Sequence, residues 1–153
     1  MALVLDNSVL VGWFVASQAT PYTACVAKRA QREAVMVPAL WAVEFSNVML
    51  VLQRRRRLPR HAIAAILTRS ARLPFTVDRE AVAPRDLFAL AERHGISAYD
   101  ASYLELATRR GLPLATRDAS LARAARAAGQ RAARRCRRRQ DRRHDAGRGG
   151  DLE

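Results

Sequence analysis

Residues Ile96 to Leu121 read ISAYDASYLELATRRGLPLATRDASL. The stretch predicts a helix, a tight turn, a buried strand and an acidic residue opening a second helix. Ser97 is a good N-cap, and Gly111 can take the positive φ that stops a helix after Arg109 and Arg110. Pro113, Leu114 and Ala115 form a short apolar strand, with Thr116, Arg117 and Asp118 at its carboxyl end. Asp100 falls on the same helical stripe as Leu104 and Ala107, so a carboxylate points where the apolar face points. That placement is costly unless a cation or a hydrogen-bond network receives the charge. Asp118 leaves its strand at the edge where open α/β sheets hold ligands. Two acids directed to one place suggest a site.

Outward from this stretch the chain alternates between strands and helices. Ala2 to Leu5 is a continuous apolar run ending at Asp6, as in a strand buried on both faces. Asn7 or Ser8 can cap a short helix over Val9–Val15, and Thr20-Pro21 restarts a helix to about Arg32. Ala34 to Val37 is a second strand, followed by a long helix from about Leu40 to Arg57. Its inward stripe reads Leu40, Glu44, Val48 and Val51, so Glu44 repeats the placement of Asp100. A helix from His61 to about Arg72, a strand over Leu73–Val77 and a helix over Arg79–His94, interrupted near Pro84, complete the middle of the chain. Short connections between alternating elements predict an α/β fold with a mostly parallel sheet flanked on both faces.

At 153 residues with 50% hydrophobic content, a single domain with a real core is expected. No apolar run is long enough to span a membrane, and Asp6 stands where a signal peptide carries positive charge, so a cytoplasmic protein is expected. Cys25 and Cys136 are unpatterned, which fits a reducing compartment and an inert buried thiol at Cys25. The net charge is +13, and the part before Arg131 alone contributes +8, from 18 basic and 10 acidic residues. A polyanionic partner is favoured. Residues 130–153 are rich in Arg, Gly and Asp and read as a basic, disordered tail after a domain over residues 1–129.

Asp6, Glu44, Asp100 and Asp118 each stand at a strand end or in the first turns of a helix. In a parallel sheet all strands end on one edge, so these acids can converge although the sequence scatters them. Gathered closely, they repel one another unless a divalent cation neutralises them. Oxygen-only ligands suit Mg²⁺ or Mn²⁺ rather than Zn²⁺. A basic surface around an acidic metal pocket suits the holding and cutting of a phosphodiester.

LDNS at Leu5–Ser8, ExxN at Glu44–Asn47, SAYDASYLELA at Ser97–Ala107 and LATRD at Leu114–Asp118 resemble the PIN-domain ribonucleases, and among them the VapC toxins of toxin–antitoxin pairs. The resemblance runs from about residue 2 to Gly129. It implies a three-layer α/β/α fold and a Mg²⁺- or Mn²⁺-dependent endoribonuclease, with Asp6, Glu44, Asp100 and Asp118 as catalytic, metal-binding acids. Thr116 falls where a family hydroxyl helps hold the first Asp, and Asn47 on a supporting position near the site. The implied partners are an RNA substrate (tRNA or ribosomal RNA), a cognate VapB-type antitoxin and a second copy in a homodimer. One departure stands out: after Gly129 the family continues into a final apolar strand, and Gln130 onward offers none.

Blander readings stand beside these. Asp6 and Asp118 can be helix caps, Glu44 a satisfied buried acid, and Arg54–Arg57 a solvated helix end that favours the helix dipole, with RNA phosphate binding as its sharper reading. Phosphoryl transfer through an aspartyl-phosphate at Asp6 is a rival enzyme class. It wants a second acid two residues on and a lysine, whereas position 8 is Ser and the only lysine is Lys28. A non-catalytic, RNA- or partner-binding module of the same fold is the alternative outside enzymes.

Overall fold

The structure is a computed structural model and describes residues 1–130 and residue 133. The remainder of the Arg-rich tail expected from the sequence lies outside the described residues.

In chain order the elements are β1 (Ala2–Leu5), α1 (Asn7–Phe14), a 3₁₀ turn (Ala16–Gln18), α2 (Pro21–Ala30), β2 (Ala34–Pro38) and α3 (Trp41–Arg54). Then come α4 (Arg60–Ser70), β3 (Phe75–Asp78), α5 (Pro84–His94), α6 (Ala98–Arg110), β4 (Leu114–Ala115) and α7 (Ala119–Ala127). The four strands form one sheet in the order β3-β2-β1-β4, and every pairing is parallel. β1 lies inside the sheet, in register with β2 at Val4↔Met36 and with β4 at Leu5↔Ala115.

Alternation along the strands divides the core into two halves, one on each sheet face. Leu3, Leu5, Val35 and Val37 pack with Val9, Leu10, Val26, Phe45, Met49, Ile63 and Ile66, so α1 to α4 cover one face. Val4 and Leu114 pack with Tyr103, Leu104, Leu106, Ala107, Leu121 and Ala124, so α6 and α7 cover the other, with Leu90 of α5 at its margin. The fold is the expected three-layer α/β/α arrangement.

Local chemistry explains the element ends. α2 opens on a capping box, in which Thr23 N–H donates to Thr20 Oγ1 and the Thr23 side chain returns to the Thr20 backbone, with Pro21 at the first helical position. α6 opens on Ser97, whose Oγ accepts from Asp100 N–H at 3.1 Å, and stops at Gly111, φ 62°. α5 starts at Pro84 rather than Arg79, because proline suits the first helical position and the residues before it remain extended. α3 corrects a second expectation. Its buried residues are Phe45 and Met49, one position round from the expected stripe, and Glu44 is left half-buried on the flank.

At the end of α3 the chain turns through Arg56 at φ 52°, the one described non-glycine residue with positive φ. Arg56 N–H donates to Gln53 O and Arg57 N–H to Leu52 O, the paired bonds of a Schellman stop. A side chain in this conformation costs about 1 kcal/mol relative to glycine. Beyond α7, Ala133 is buried and its N–H donates to Leu114 O at 3.1 Å, on the free side of β4. Cys25 is buried on α2. Among the described residues no helix is long and apolar enough to cross a membrane.

Candidate active site

The site begins with the register of β1 and β4. Leu5 pairs with Ala115, so the next residues, Asp6 and Thr116, leave the sheet side by side. Asp6 N–H donates to Ala115 O at 3.0 Å, and Thr116 Oγ1 donates to Asp6 Oδ2 at 2.7 Å. Ser8 Oγ also donates to Asp6 Oδ2. Asp6 occupies the N-cap position of α1 but its side chain caps nothing. A buried carboxylate thus leaves the backbone N–H groups of α1 uncapped and accepts instead from two hydroxyls, Thr116 just past β4 and Ser8 in the first turn of α1.

Glu44 arrives from the first turn of α3, and its Oε2 accepts from Tyr103 Oη at 2.9 Å. Tyr103 is fully buried, and its oxygen also accepts from Asn7 Nδ2 at 3.0 Å. Asn7 Nδ2 reaches Trp41 O at 3.0 Å as well, so α1, α3 and α6 meet at these three side chains. Asp100 arrives from the first turn of α6, and its Oδ2 accepts from Ser97 Oγ at 2.7 Å. It is half-buried at the rim, while Leu104 and Ala107 below it are fully buried.

Electrostatics join these three acids. Burial pushes the Asp6 carboxyl up to about 6; the Ser8 and Thr116 hydroxyls pull it back, and the charges of Glu44 and Asp100 add to the rise. Burial first, then Glu44, Asp6 and Asp100, also raise the Tyr103 hydroxyl, which keeps it a donor. Tyr103 is given no role by the sequence, and Asn7 or Ser8 only that of a helix cap; in the structure Asp6 holds the N-cap position of α1, and Asn7 and Ser8 lie inside the helix with their side chains bonded in the site. A tyrosine two turns from any terminus inside an apolar helix face carries no mark of a polar role until its partner is placed beside it.

Asp118 stands apart. It is exposed, and its Oδ1 caps α7 by accepting from Leu121 N–H at 2.8 Å. Its own N–H donates to Thr116 Oγ1 at 3.0 Å, which ties it to Asp6 through one hydroxyl. Asn47 is exposed on α3, in an open groove with Ala42, Val43, Ser46 and Leu50, and no described hydrogen bond joins it to the acids.

Among the described residues, no protein cation pairs with these acids. Elsewhere Arg29 pairs with Glu33, and Arg109 with Asp78, Glu80 and Glu105. Among the described residues none of Asp6, Glu44, Asp100 and Asp118 makes an ion pair, in a chain of formal charge +13. The donor set is oxygen only, which suits a hard divalent ion. Asn7 Oδ1, next to Asp6 in the chain, is the one buried side-chain acceptor among the described residues left without a donor. As the side chains stand, no described group of three His, Cys, Asp or Glu is drawn tightly enough to hold a metal. Asp6, Glu44 and Asp100 each accept from a hydroxyl, and Asp118 from a backbone N–H.

The family model described as PIN domain matches residues 3–127. The chain belongs to the PIN domain family. PIN domains are generally nucleases that use divalent metals, and the donor chemistry at Asp6, Glu44 and Asp100 fits that requirement. Among solved structures, this PIN domain is similar to that of PAE2754 from Pyrobaculum aerophilum, at TM-score 0.61 and 23% identity, over 81% of this chain and 79% of that one. It is also similar to FitAcB from Neisseria gonorrhoeae, at TM-score 0.58 and 18% identity, over 86% of this chain and 96% of that one. At these identities the likeness is one of fold. Among curated proteins nothing matches.

Proposed function

We propose that this PIN domain is a Mg²⁺- or Mn²⁺-dependent endoribonuclease whose ion is held by Asp6, Glu44 and Asp100. The observation that carries the reading is that the charges of Glu44 and Asp100 reach Asp6, and that all three carboxylates have hydroxyl partners but, among the described residues, no protein cation. A divalent ion bound there supplies positive charge for the phosphodiester and lowers the pKa of water. The protein does the positioning. Thr116 and Ser8 aim Asp6, Tyr103 aims Glu44 and Ser97 aims Asp100. Asp118 can join the set as a ligand through Oδ2 while Oδ1 keeps its cap on Leu121.

The sequence motifs point within the family to a VapC-type toxin, and we assign it RNA as substrate (tRNA or ribosomal RNA), a VapB-type antitoxin as partner, a homodimeric state and a cytoplasmic setting. The domain is taken as residues 1–129 and residues 130–153 as a basic tail. The test is incubation of purified protein with RNA and Mn²⁺, beside Asp6→Asn, Asp100→Asn and an EDTA control. Cleavage by the wild type alone, lost in EDTA, supports the reading. Equal cleavage by all three proteins rejects it.

A second reading, a PIN-fold RNA- or partner-binding module without cleavage, draws on the open spacing of the acids as they stand. RNA binding by the wild type with no cleavage at any Mn²⁺ concentration would favour it.

A further inference from the structure

The densest positive charge among the described residues lies in the turn between α3 and α4. Arg54, Arg55, Arg56, Arg57 and Arg60 fall within seven positions, and all are exposed. None of their guanidinium groups has an ion pair or side-chain hydrogen bond among the described residues, whereas Arg29, Arg109 and Arg110 are spent on carboxylates. Helix dipoles explain only part of the run. Arg54 and Arg55 suit the C-terminus of α3, but Arg57 and Arg60 stand at the N-terminus of α4, where positive charge is unfavourable.

Backbone geometry is an independent sign. The other positive-φ positions described, Gly95, Gly111 and Gly129, are glycines. The α3 stop alone carries an arginine there, at φ 52°. A side chain kept against backbone preference, in a position where the chain elsewhere uses glycine, points to a role for that side chain.

Distance ties the turn to the acids. Glu44 and Arg54 are ten residues apart on α3, so about 15 Å separates them along the helix axis. A single strand of a few nucleotides can span that separation. We propose that the Arg54–Arg60 turn is a docking surface for the phosphate backbone of single-stranded RNA, holding the strand a few nucleotides from the acid pocket. Arginine suits this because its planar fork grips phosphate oxygens in pairs. The inference rests on the nuclease reading for its choice of RNA.

The test measures binding of a short fluorescein-labelled single-stranded RNA in EDTA, so that cleavage plays no part. Wild type is compared with Arg56→Gly and with the triple variant Arg55→Gln, Arg56→Gly, Arg57→Gln. The triple variant should bind at least about tenfold more weakly, and its salt dependence between about 50 and 200 mM should flatten by about 2 in log–log slope, at about 0.7 per phosphate contact. Arg56→Gly alone should weaken binding while its melting temperature stays or rises. Unchanged affinity and slope in the triple variant overturn the proposal. So does a lower melting temperature in Arg56→Gly with RNA binding intact, which would make the arginine structural. Arginine-dependent sedimentation with phosphatidylserine vesicles, with RNA affinity unchanged, would assign the turn to membranes and also overturn it. Arginine-dependent RNA binding beside equal cleavage by wild type and Asp100→Asn supports the docking surface while removing the nuclease reading.

Discussion

Tyr103 Oη donates to Glu44 Oε2 at 2.9 Å from a fully buried ring. The bond crosses from α6 to α3, and Asn7 Nδ2 completes it from the other side at 3.0 Å. Removing the hydroxyl should cost about 1 kcal/mol of stability. Asn7 retains Trp41 O as acceptor, so its amide is not stranded. Glu44 loses its only described side-chain hydrogen bond, and Tyr103→Phe should therefore bind Mn²⁺ about tenfold more weakly with a folded, cooperative melt. Calorimetric titration beside thermal unfolding checks both halves.

Asp6 makes the fold less stable than it could be. Its carboxyl is pushed from 3.8 to about 6 by burial. The penalty is absent below the unfolded value, grows as pH rises through this window, and is complete above about 6, where it amounts to about 3 kcal/mol. Asp6→Asn has no charge to bury. In EDTA it should melt above wild type at pH 8, with the difference shrinking toward pH 4, while RNA cleavage is lost. Melting curves across that range test the sign; wild type more stable at pH 8 would show that the Asp6 charge is already compensated.

The same raised carboxyl sets the pH dependence of ion binding. The ion needs the ionised form, so protons compete with it below about 6. Apparent Mn²⁺ affinity should be flat from pH 7 to 8 and fall by up to about tenfold per pH unit below 6. Titrations at three pH values read this directly, without substrate.

Asp118 and Asp100 should respond differently to the same change. Asp118 is exposed and caps α7, and asparagine is an equally good N-cap. Asp118→Asn should therefore leave stability within about 0.5 kcal/mol and reduce cleavage by less than Asp100→Asn does. Paired rate and melting measurements on the two variants decide the order.

Arg109 is the structural counterpart of the acid pocket. It binds Asp78 and Glu80 at 2.6 Å and Glu105 at 2.7 Å, clamping the end of β3 to α6. Its hydrogen bond holds the Asp78 carboxyl below the usual range against the opposing effect of burial. A lowered carboxyl contributes stability above the unfolded value and loses it as pH falls. Arg109→Ala should cost about 2 kcal/mol at pH 7 and less near pH 3, leaving cleavage per folded molecule unchanged.

The layered fold was legible because its signals are local: apolar runs for β1 and β2, Thr20-Pro21 for α2, Ser97 and Gly111 for α6. Asp6, Glu44 and Asp100 were legible as acids at element ends. Of their hydroxyl partners, Thr116 was legible through the family resemblance, but Tyr103 was not, because it lies 59 residues from the carboxylate it serves. Only the register of β1 with β4 and the packing of α6 against α3 bring them together. The inward face of α3 was misread by one position, since Val48 and Val51 are as apolar as Phe45 and Met49 and only packing chooses between the stripes. Ala133 shows the same limit, for alanine in an arginine-rich stretch gives no sign that its N–H will meet Leu114 O.

The most direct test is calorimetric titration of Mn²⁺ into the wild-type chain and into Asp6→Asn, Glu44→Gln and Asp100→Asn at pH 7.5. Saturable binding in the wild type, weakened at least about tenfold by each single substitution, is the result expected if one ion is shared by the three carboxylates. Wild-type binding that survives all three substitutions would contradict a common pocket.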